Sequence, residues 1–386
     1  MQLKTVKYSQ YENTPRLWKL ENCTLDEINL VVGKNATGKS MTLNIIRGLA
    51  IILSRQRQLP FISGNYHVVF EKKGKQIIYD LKYEDQKVIK EKLLIDDHLK
   101  LERRSGGKGK IFTSKLDDYL EFRIPHNEVA ALAKRDTMQH PFLEDLHSWG
   151  KNVMHFRFGT PLGKETYPVL IDTTTTDTTK AESNENIDLL DTEKATEIFW
   201  KGEHEFKEEF VNEIKNNMKT IRYNIDKIEV GPPQSIVFKA NFPSKPVCLL
   251  VKESDLRSNT DQSNMSQGMF RALSTIIQIN YALLKRIPSC ILIDDIGEGL
   301  DYTRSISLIK LLIDKIKQTH VQLIMSTNDR FVMNNVPLQY WSIIDRKGNK
   351  SKMINYHNKP KVFEQFELTG LNNFDFFSSN YFLKTN

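Results

Sequence analysis

The sequence predicts an α/β protein with a mainly parallel core sheet, an antiparallel β subdomain and an inserted helical subdomain. Three observations carry this. Apolar strand-like runs alternate with amphipathic helical runs near both ends of the 386-residue chain, the pattern of parallel strands joined by right-handed crossovers. Short alternating segments separated by the turn signals KKGK and SGGKG fill residues 66–125. Helical character dominates 126–224. The two ends therefore share one sheet, and the middle is inserted between them.

Residues 1–65 form the first part of the core. QLKTVKY reads as a strand, and EINLVV reads as a second after a polar connection containing Trp18. A glycine-rich turn follows. Beyond it Leu43, Ile46, Leu49 and Ile52 recur at helical spacing and define one buried face. In 66–125, HVVFEKKGKQIIYDLKYE and KLLIDDHLKLERRSGGKGKIF alternate as antiparallel strands do. In 126–224, HNEVAALAKRDTMQHPFLEDLHSWGKNV reads as helical, a mobile loop covers about 172–190, and an amphipathic helix runs from Thr192 to Ile221. The loop contains DTTTTDTTKAESNEN, which has too little apolar area to fold alone. Residues 225–350 return to the core with the strands SIVFKA and VCLLVK, a helix from Met269 to Leu284, the strand CILIDD, the helix SISLIKLLIDKIK and the strand VQLIMSTN. Residues 351–386 are an aromatic-rich tail.

Composition narrows the class. Hydrophobic residues make up 39% of the chain, enough for a sizeable core. The opening residues lack the apolar region of a signal peptide, and no uninterrupted apolar run reaches about 18 residues. We expect a cytoplasmic protein with no membrane partner. Cys23, Cys248 and Cys290 lie far apart among apolar neighbours and read as buried thiols. His140 and His147 share a helical phase, but no carboxylate or cysteine completes a ligand set at the usual spacing. The formal charge of +7 favours an anionic partner.

GKNATGKS, Gly33 to Ser40, fits G-x-x-x-x-G-K-[ST] and sits between an apolar strand and a helix. Gly33 and Gly38 let such a loop wrap closely, so backbone N–H groups point at phosphate oxygens. The candidate phosphate-binding set is Gly33, Lys34, Asn35, Ala36, Thr37, Gly38, Lys39, Ser40 and Met41. Lys39 reaches the β- and γ-phosphates, and the Ser40 hydroxyl ligates Mg²⁺. Asp294 stands at the end of CILIDD, where ligands gather in such sheets, and is the candidate metal carboxylate. Asp295 follows, placed to polarise a water.

GKNATGKS, then MSQGM opening a helix, then CILIDDIGEGLD and LIMSTND resemble, in order, the Walker A, signature, Walker B with D-loop, and switch-strand elements of ABC-type ATPases. The closest likeness is to the branch that includes SMC-like, RecF-like and OLD-like proteins, ATPases of chromosome maintenance, DNA repair and bacterial defence. The resemblance covers roughly 1–65 and 225–350. It implies an ATP hydrolase with ATP and Mg²⁺ held between two subunits arranged head to tail. Ser266 and Gly268 of one copy would close over the γ-phosphate bound by the other. Asp301 falls at the D-loop position and Gln139 at a candidate Q-loop position, coupling Mg²⁺ to the inserted region. Asp295 replaces the usual glutamate, with Glu298 as the alternative acid, and Asn328 replaces the usual switch histidine. Asparagine cannot titrate near neutral pH. These departures imply slow turnover. Tyr8 or Tyr11 is a candidate to stack on adenine.

The same resemblance bears on the setting. Some 225 residues separate the two motifs, more than a transporter subunit usually needs, and no heptads persist to form an SMC-like rod. The segment after Asn328 is too short for a Toprim nuclease. The expectation is a stand-alone, nucleotide-gated ATPase in antiphage defence or DNA repair, self-associating as a dimer or larger homo-oligomer and controlling a separate effector such as a nuclease or toxin. The alternative is an ATP-dependent DNA-binding machine, for which the basic run RRSGGKGK, Arg103 to Lys110, is the candidate contact. Phe363, Phe366, Phe374, Phe376, Phe377 and Phe382 read as a clamp on the core in preference to an effector-docking strip.

Overall fold

A computed structural model describes residues 1–54, 59–169, 191–237, 246–317 and 319–384. In chain order its elements are β1 (Gln2–Gln10), β2 (Trp18–Thr24), β3 (Ile28–Val32), α1 (Lys39–Ser54), β4 (Gly64–Lys72), β5 (Lys75–Glu84), β6 (Lys87–Ile95), β7 (His98–Arg104), β8 (Lys108–Thr113) and β9 (Asp118–Arg123). Then come α2 (Ala130–Ala133), α3 (Phe142–Lys151), β10 (Val153–Arg157), α4 (Ala195–Thr220), β11 (Ile225–Gly231), β12 (Cys248–Glu253), β13 (Thr260–Asp261), α5 (Gln267–Leu284) and β14 (Cys290–Asp294). The chain closes with α6 (Tyr302–Ile316), β15 (Gln322–Thr327), α7 (Arg330–Asn335), β16 (Trp341–Lys347), β17 (Lys350–Asn355), α8 (Pro360–Glu367) and α9 (Asn373–Ser378). No helix among the described residues is long and apolar enough to cross a membrane.

Two compact units emerge. The first is drawn from Met1–Val153, Ser289–Leu292 and Thr319–Asn386. Its strands run in the order β14-β15-β3-β16-β17-β2-β1-β4-β5-β6-β7-β8-β9. β3 lies parallel to both β15 and β16, with Val32 opposite Thr327 and Leu30 opposite Trp341. Both ends of the chain therefore build one sheet, as the strand–helix alternation requires. All five residues of β3 are buried, as suits an apolar strand covered on both faces; its one polar member, Asn29, is satisfied by the Asp26 backbone at 2.9 and 2.7 Å. From β1 onward to β9 the pairing is antiparallel.

The expected face of α1 is buried: Leu43, Ile46, Leu49 and Ile52 are all 0% exposed. Helix α3 approaches α1 so closely that a Cβ on Gly150 would lie 2.7 Å from the Ala50 carbonyl oxygen. His140 and His147 do not form a ligand pair; their Nδ1 atoms are hydrogen-bonded to the carbonyls of Lys134 and Leu53. The tail clamps this unit through Phe363, Phe366, Phe376 and Phe382, all buried. Phe374 and Phe377 are half-buried. Asn373 Nδ2 and the Phe374 N–H fasten the tail to Val336 O and Asn334 Oδ1 at 2.9 and 2.8 Å.

The basic run needs a correction. Arg103 is fully buried and faces Glu91 at 3.7 Å, both side chains 0% exposed. It donates to the carbonyls of Pro125 and Glu128. Glu91 accepts from the N–H groups of Ala130 and Ala131, each at 2.7 Å, and from Tyr79 Oη at 3.0 Å. Alternation explains this: Leu101 and Arg103 share the inner face of β7, and Glu102 and Arg104 the other.

The second unit is drawn from Met154–Pro288 and Ile293–Gln318. Helix α5 is buried continuously from Gly268 to Ala282, so it forms the centre on which α4 packs. Asn217 on α4 donates to Asn280 on α5 at 3.2 Å, and Phe210 meets Tyr281 edge to face. α4 is interrupted at Lys207, whose φ of 51° is non-helical. β11, β12 and β13 form a separate antiparallel sheet. Sequence reading missed β11 and instead expected a strand over SIVFKA. Ser235 to Val237 carry no strand, and the remainder lies outside the described residues. The loop expected at about 172–190 also lies outside them. The three cysteines are buried and free, and burial pushes the Cys23 thiol up to about 12.

Candidate functional site

In the first unit, the chain leaves β3 at Val32, turns through Gly33 to Gly38 and enters α1 at Lys39. Space dictates the first glycine. A Cβ on Gly33 would meet Thr37 Oγ1 at 2.6 Å and Ile344 O at 2.8 Å. Conformation dictates the second: Gly38 has φ +110°, where a side chain is strained, and a Cβ there would lie 3.1 Å from the Trp18 ring and 3.3 Å from Ser351 Oγ. Ala36 is also left-handed, with φ 62°. Lys39 is 5% exposed. Its ammonium curls back onto Gly33 O at 2.9 Å and Lys34 O at 3.1 Å, tying the loop's entrance to its exit. Lys34, Asn35 and Ala36 are exposed, and Thr37, Ser40 and Met41 half-buried. Such a loop at a helix N-terminus has the chemistry of an anion cradle.

The loop has supports that the sequence did not reveal. Ser351 Oγ donates to Thr37 O at 2.8 Å, and Arg346 Nη1 donates to Ala36 O at 2.9 Å. Both belong to the β16–β17 hairpin, some 310 positions away in sequence. Asn328 directly follows β15, and since Thr327 is opposite Val32, it leaves the sheet at the same edge as Gly33. Tyr8, Tyr11 and Tyr66, with Met41 and Asn44 of α1, line a cleft of about 370 Å³ in this unit. Tyr8 packs on Tyr66 with ring centroids 4.6 Å apart and is 7% exposed; Tyr11 is the more accessible wall. Gln139 is exposed. Its N–H donates to Asp136 at 2.7 Å, and its carbonyl accepts from the Ser114 N–H in the β8–β9 turn at 2.9 Å.

In the second unit, Asp294 is 8% exposed, and its carbonyl accepts from the Phe158 N–H at 3.0 Å. Asp295 adopts φ 53°, a left-handed geometry that aspartate tolerates better than most residues. Its carbonyl accepts from the Glu298 N–H at 3.1 Å. Ser266 is the N-cap of α5, its Oγ accepting from the Met269 N–H at 3.2 Å. Gly268 has a reason of its own to lack a side chain: a Cβ would lie 2.2 Å from Gly299 O. Asp301 caps α6, accepting from the Arg304 N–H at 3.0 Å and from its guanidinium at 2.7 Å. The Arg304 backbone N–H first, and its side chain second, hold the Asp301 carboxyl below its usual range.

Arg271 is the participant that sequence reading overlooked in this unit. It is 8% exposed and donates to Glu298 O at 3.1 Å and Thr160 O at 3.3 Å, joining the first turns of α5 to the GEGLD turn and to the turn directly after β10. Four residues upstream of MSQGM, the Asp261 carboxylate gathers the N–H groups of Gln234 and Ser235 and the hydroxyl of Ser263 at 2.6 Å. Burial would raise its pKa, but the bonds from Ser235 and Ser263 outweigh burial and hold it far below the carboxylate range. Gln262, fully buried, donates to Lys164 O and Thr166 O and accepts from the Leu249 N–H. These residues fix the loop that presents Ser266.

No protein-family model matches the chain, and no curated protein matches it. Among solved structures, an Smc head bound to the C-winged helix domain of ScpA aligns over 94% of this chain and 100% of its own, with a TM-score of 0.52 and 12% identity. The fold is that of an SMC head. The mixed α/β architecture of this ABC-type ATPase fold extends over most of the chain, as the sequence predicts. An SMC head domain from Thermotoga maritima aligns over 92% of this chain and 99% of its own at 13% identity, with a TM-score of 0.44. An Smc head with an extended coiled coil, bound to the C-terminal domain of ScpA derived from Pyrococcus furiosus, aligns over 95% and 99% at 12% identity, with a TM-score of 0.47. Within the SMC-head fold, the present chain carries GKNATGKS between β3 and the first turn of α1, and MSQGM at the N-terminus of α5.

Proposed function

We propose that the chain is a slow ABC-type ATPase, acting as a nucleotide-gated switch on a separate effector in bacterial antiphage defence or DNA repair. The 33–41 loop carries this reading: two glycines demanded by space and φ, and a buried lysine folded over the loop, at the edge where β3 and β15 end together. ATP would supply the triphosphate, and Mg²⁺ would supply positive charge to offset that of the phosphates. Lys39 exchanges its carbonyl partners for phosphate oxygens. Ser40 and Asp294 are the proposed metal-holding residues, and Asp295, with Glu298 as the alternative, orients the water. Asn328 offers a hydrogen bond but no titratable proton, which favours slow turnover. Tyr11 is the favoured stacking residue for the base. Gln139 keeps its proposed coupling role through the Asp136 turn.

The signature stretch of one copy is proposed to lid the nucleotide held by another. Ser266 suits this role because it is exposed at the N-terminus of an 18-residue helix, where the dipole favours anions. Asp301, exposed on the capping turn of α6, is proposed to lie along the same subunit interface. The direct test of nucleotide binding is Lys39→Ala. Equilibrium binding of a fluorescent ATP analogue should weaken at least about a hundredfold, since charge-assisted phosphate contacts are lost along with the loop's internal tie. Unchanged affinity would remove Lys39 and the loop from the function.

A further inference from the structure

The antiparallel half of the first unit bears side chains that the nucleotide reading does not use. Strand register stacks them in rows across β6 to β9. Lys90 stands opposite Arg104, and Lys108 opposite Arg123. The pairing of Glu102 with Lys110 and Arg103 with Gly109 sets Arg104 beside Lys108. All four cations are exposed. Like charges directly across strands destabilise a sheet, so this cationic row costs stability, offset in part where Glu102 of the adjoining row lies 3.8 Å from Arg104. The adjoining row is ordinary by contrast: Lys92, Glu102, Lys110 and Glu121 alternate in sign, with Lys110 and Glu102 at 4.0 Å.

A third row on the same face is aromatic. Phe112 stands opposite Tyr119, with ring centroids 5.7 Å apart, and Tyr119 is 39% exposed. Lys100 Nζ lies 3.7 Å from the Phe112 centroid, and Lys110 Nζ 5.2 Å from that of Tyr119. A shallow groove of about 790 Å³ is lined by four cations, Arg104, Lys108, Lys110 and Arg123, against two carboxylates, Glu102 and Glu121, and so keeps a net positive charge.

We propose that this face binds a single-stranded nucleic acid, its phosphate backbone along the cationic row and a base on the Tyr119 ring. Cations favour any polyanion, but an exposed ring such as that of Tyr119 adds affinity only for a ligand whose bases are unpaired. A duplex hides its base faces, and an acidic peptide has none. Binding at this face needs no ATP, so it stands or fails apart from the nucleotide reading.

The test is fluorescence anisotropy with labelled oligo-dT and oligo-U of roughly 20 nucleotides and a duplex of similar length, using the full chain without ATP over a range of salt. Binding of either single strand in preference to the duplex is expected. Arg104→Ala, Lys108→Ala and Arg123→Ala combined should weaken it at least about tenfold and flatten the log–log salt slope by about two. Tyr119→Ala should weaken it about fivefold or more without changing that slope. The charge-conserving set Arg104→Lys, Lys108→Arg and Arg123→Lys should retain binding, and ATP-analogue affinity should be unchanged in all, showing that they fold. No single-strand binding by the wild type, unaltered binding by the triple alanine variant, or duplex binding indifferent to Tyr119→Ala would overturn the proposal.

Discussion

Single residues decide whether the candidate chemistry is slow. Asp295 is held at φ 53° and Glu298 stands three residues on, its N–H bonded back to the Asp295 carbonyl. Asparagine tolerates the same left-handed geometry, so Asp295→Asn changes charge without disturbing the turn. We expect it to reduce steady-state phosphate release about a hundredfold or more, as loss of a water-orienting group does, while ATP still binds. Glu298→Gln should change release less than about threefold. The reverse ranking in a phosphate-release assay would transfer the role to Glu298. At Gly268, packing bears on how a test is designed. With Gly299 O at 2.2 Å from any Cβ, a substitution there disturbs its own subunit, whereas Ser266→Asp keeps a good N-cap and adds a charge that repels phosphate.

At the scale of elements, the register of the antiparallel strands distinguishes exposed cations from the buried one. Arg103 and Glu91 sit on the inner face and brace the 125–131 segment. Arg103→Ala would leave Glu91 buried without its cation, and removing one partner of such a pair typically costs about 3–5 kcal/mol. Urea unfolding should show that loss; less than about 1 kcal/mol would mean that Arg103 is a solvated surface residue. The adjacency RRSGGKGK is legible in sequence, but its division between two faces depends on the phase of β7, which a run of charges does not display. The β3–loop–α1 unit was legible because its apolar run, glycines and helical period are all local. The bracing of its loop by Arg346 and Ser351 was not, because a distant hairpin supplies it. β11 escaped notice for a similar reason: three of the seven residues of IDKIEVG are charged and it pairs with β12 along its length, so its partner and not its own periodicity makes it a strand.

For the whole molecule, strand–helix alternation at both ends sufficed to foresee one sheet, because β3 can complete its hydrogen bonds only between β15 and β16. No local pattern reports which copy's Ser266 meets which loop. The central claim is that one copy cradles the triphosphate and another lids it, and sedimentation velocity on mixed variants tests it most directly. Lys39→Ala spoils the cradle and Ser266→Asp spoils the lid, so neither should associate with ATP alone. Mixed together, they rebuild one intact cradle–lid pair per dimer. ATP-dependent dimers should therefore appear in the mixture, at higher protein concentration than for the wild type because one intact site supplies only part of the association free energy. A mixture that stays monomeric even at concentrations well above those at which wild-type chains dimerise would contradict the account.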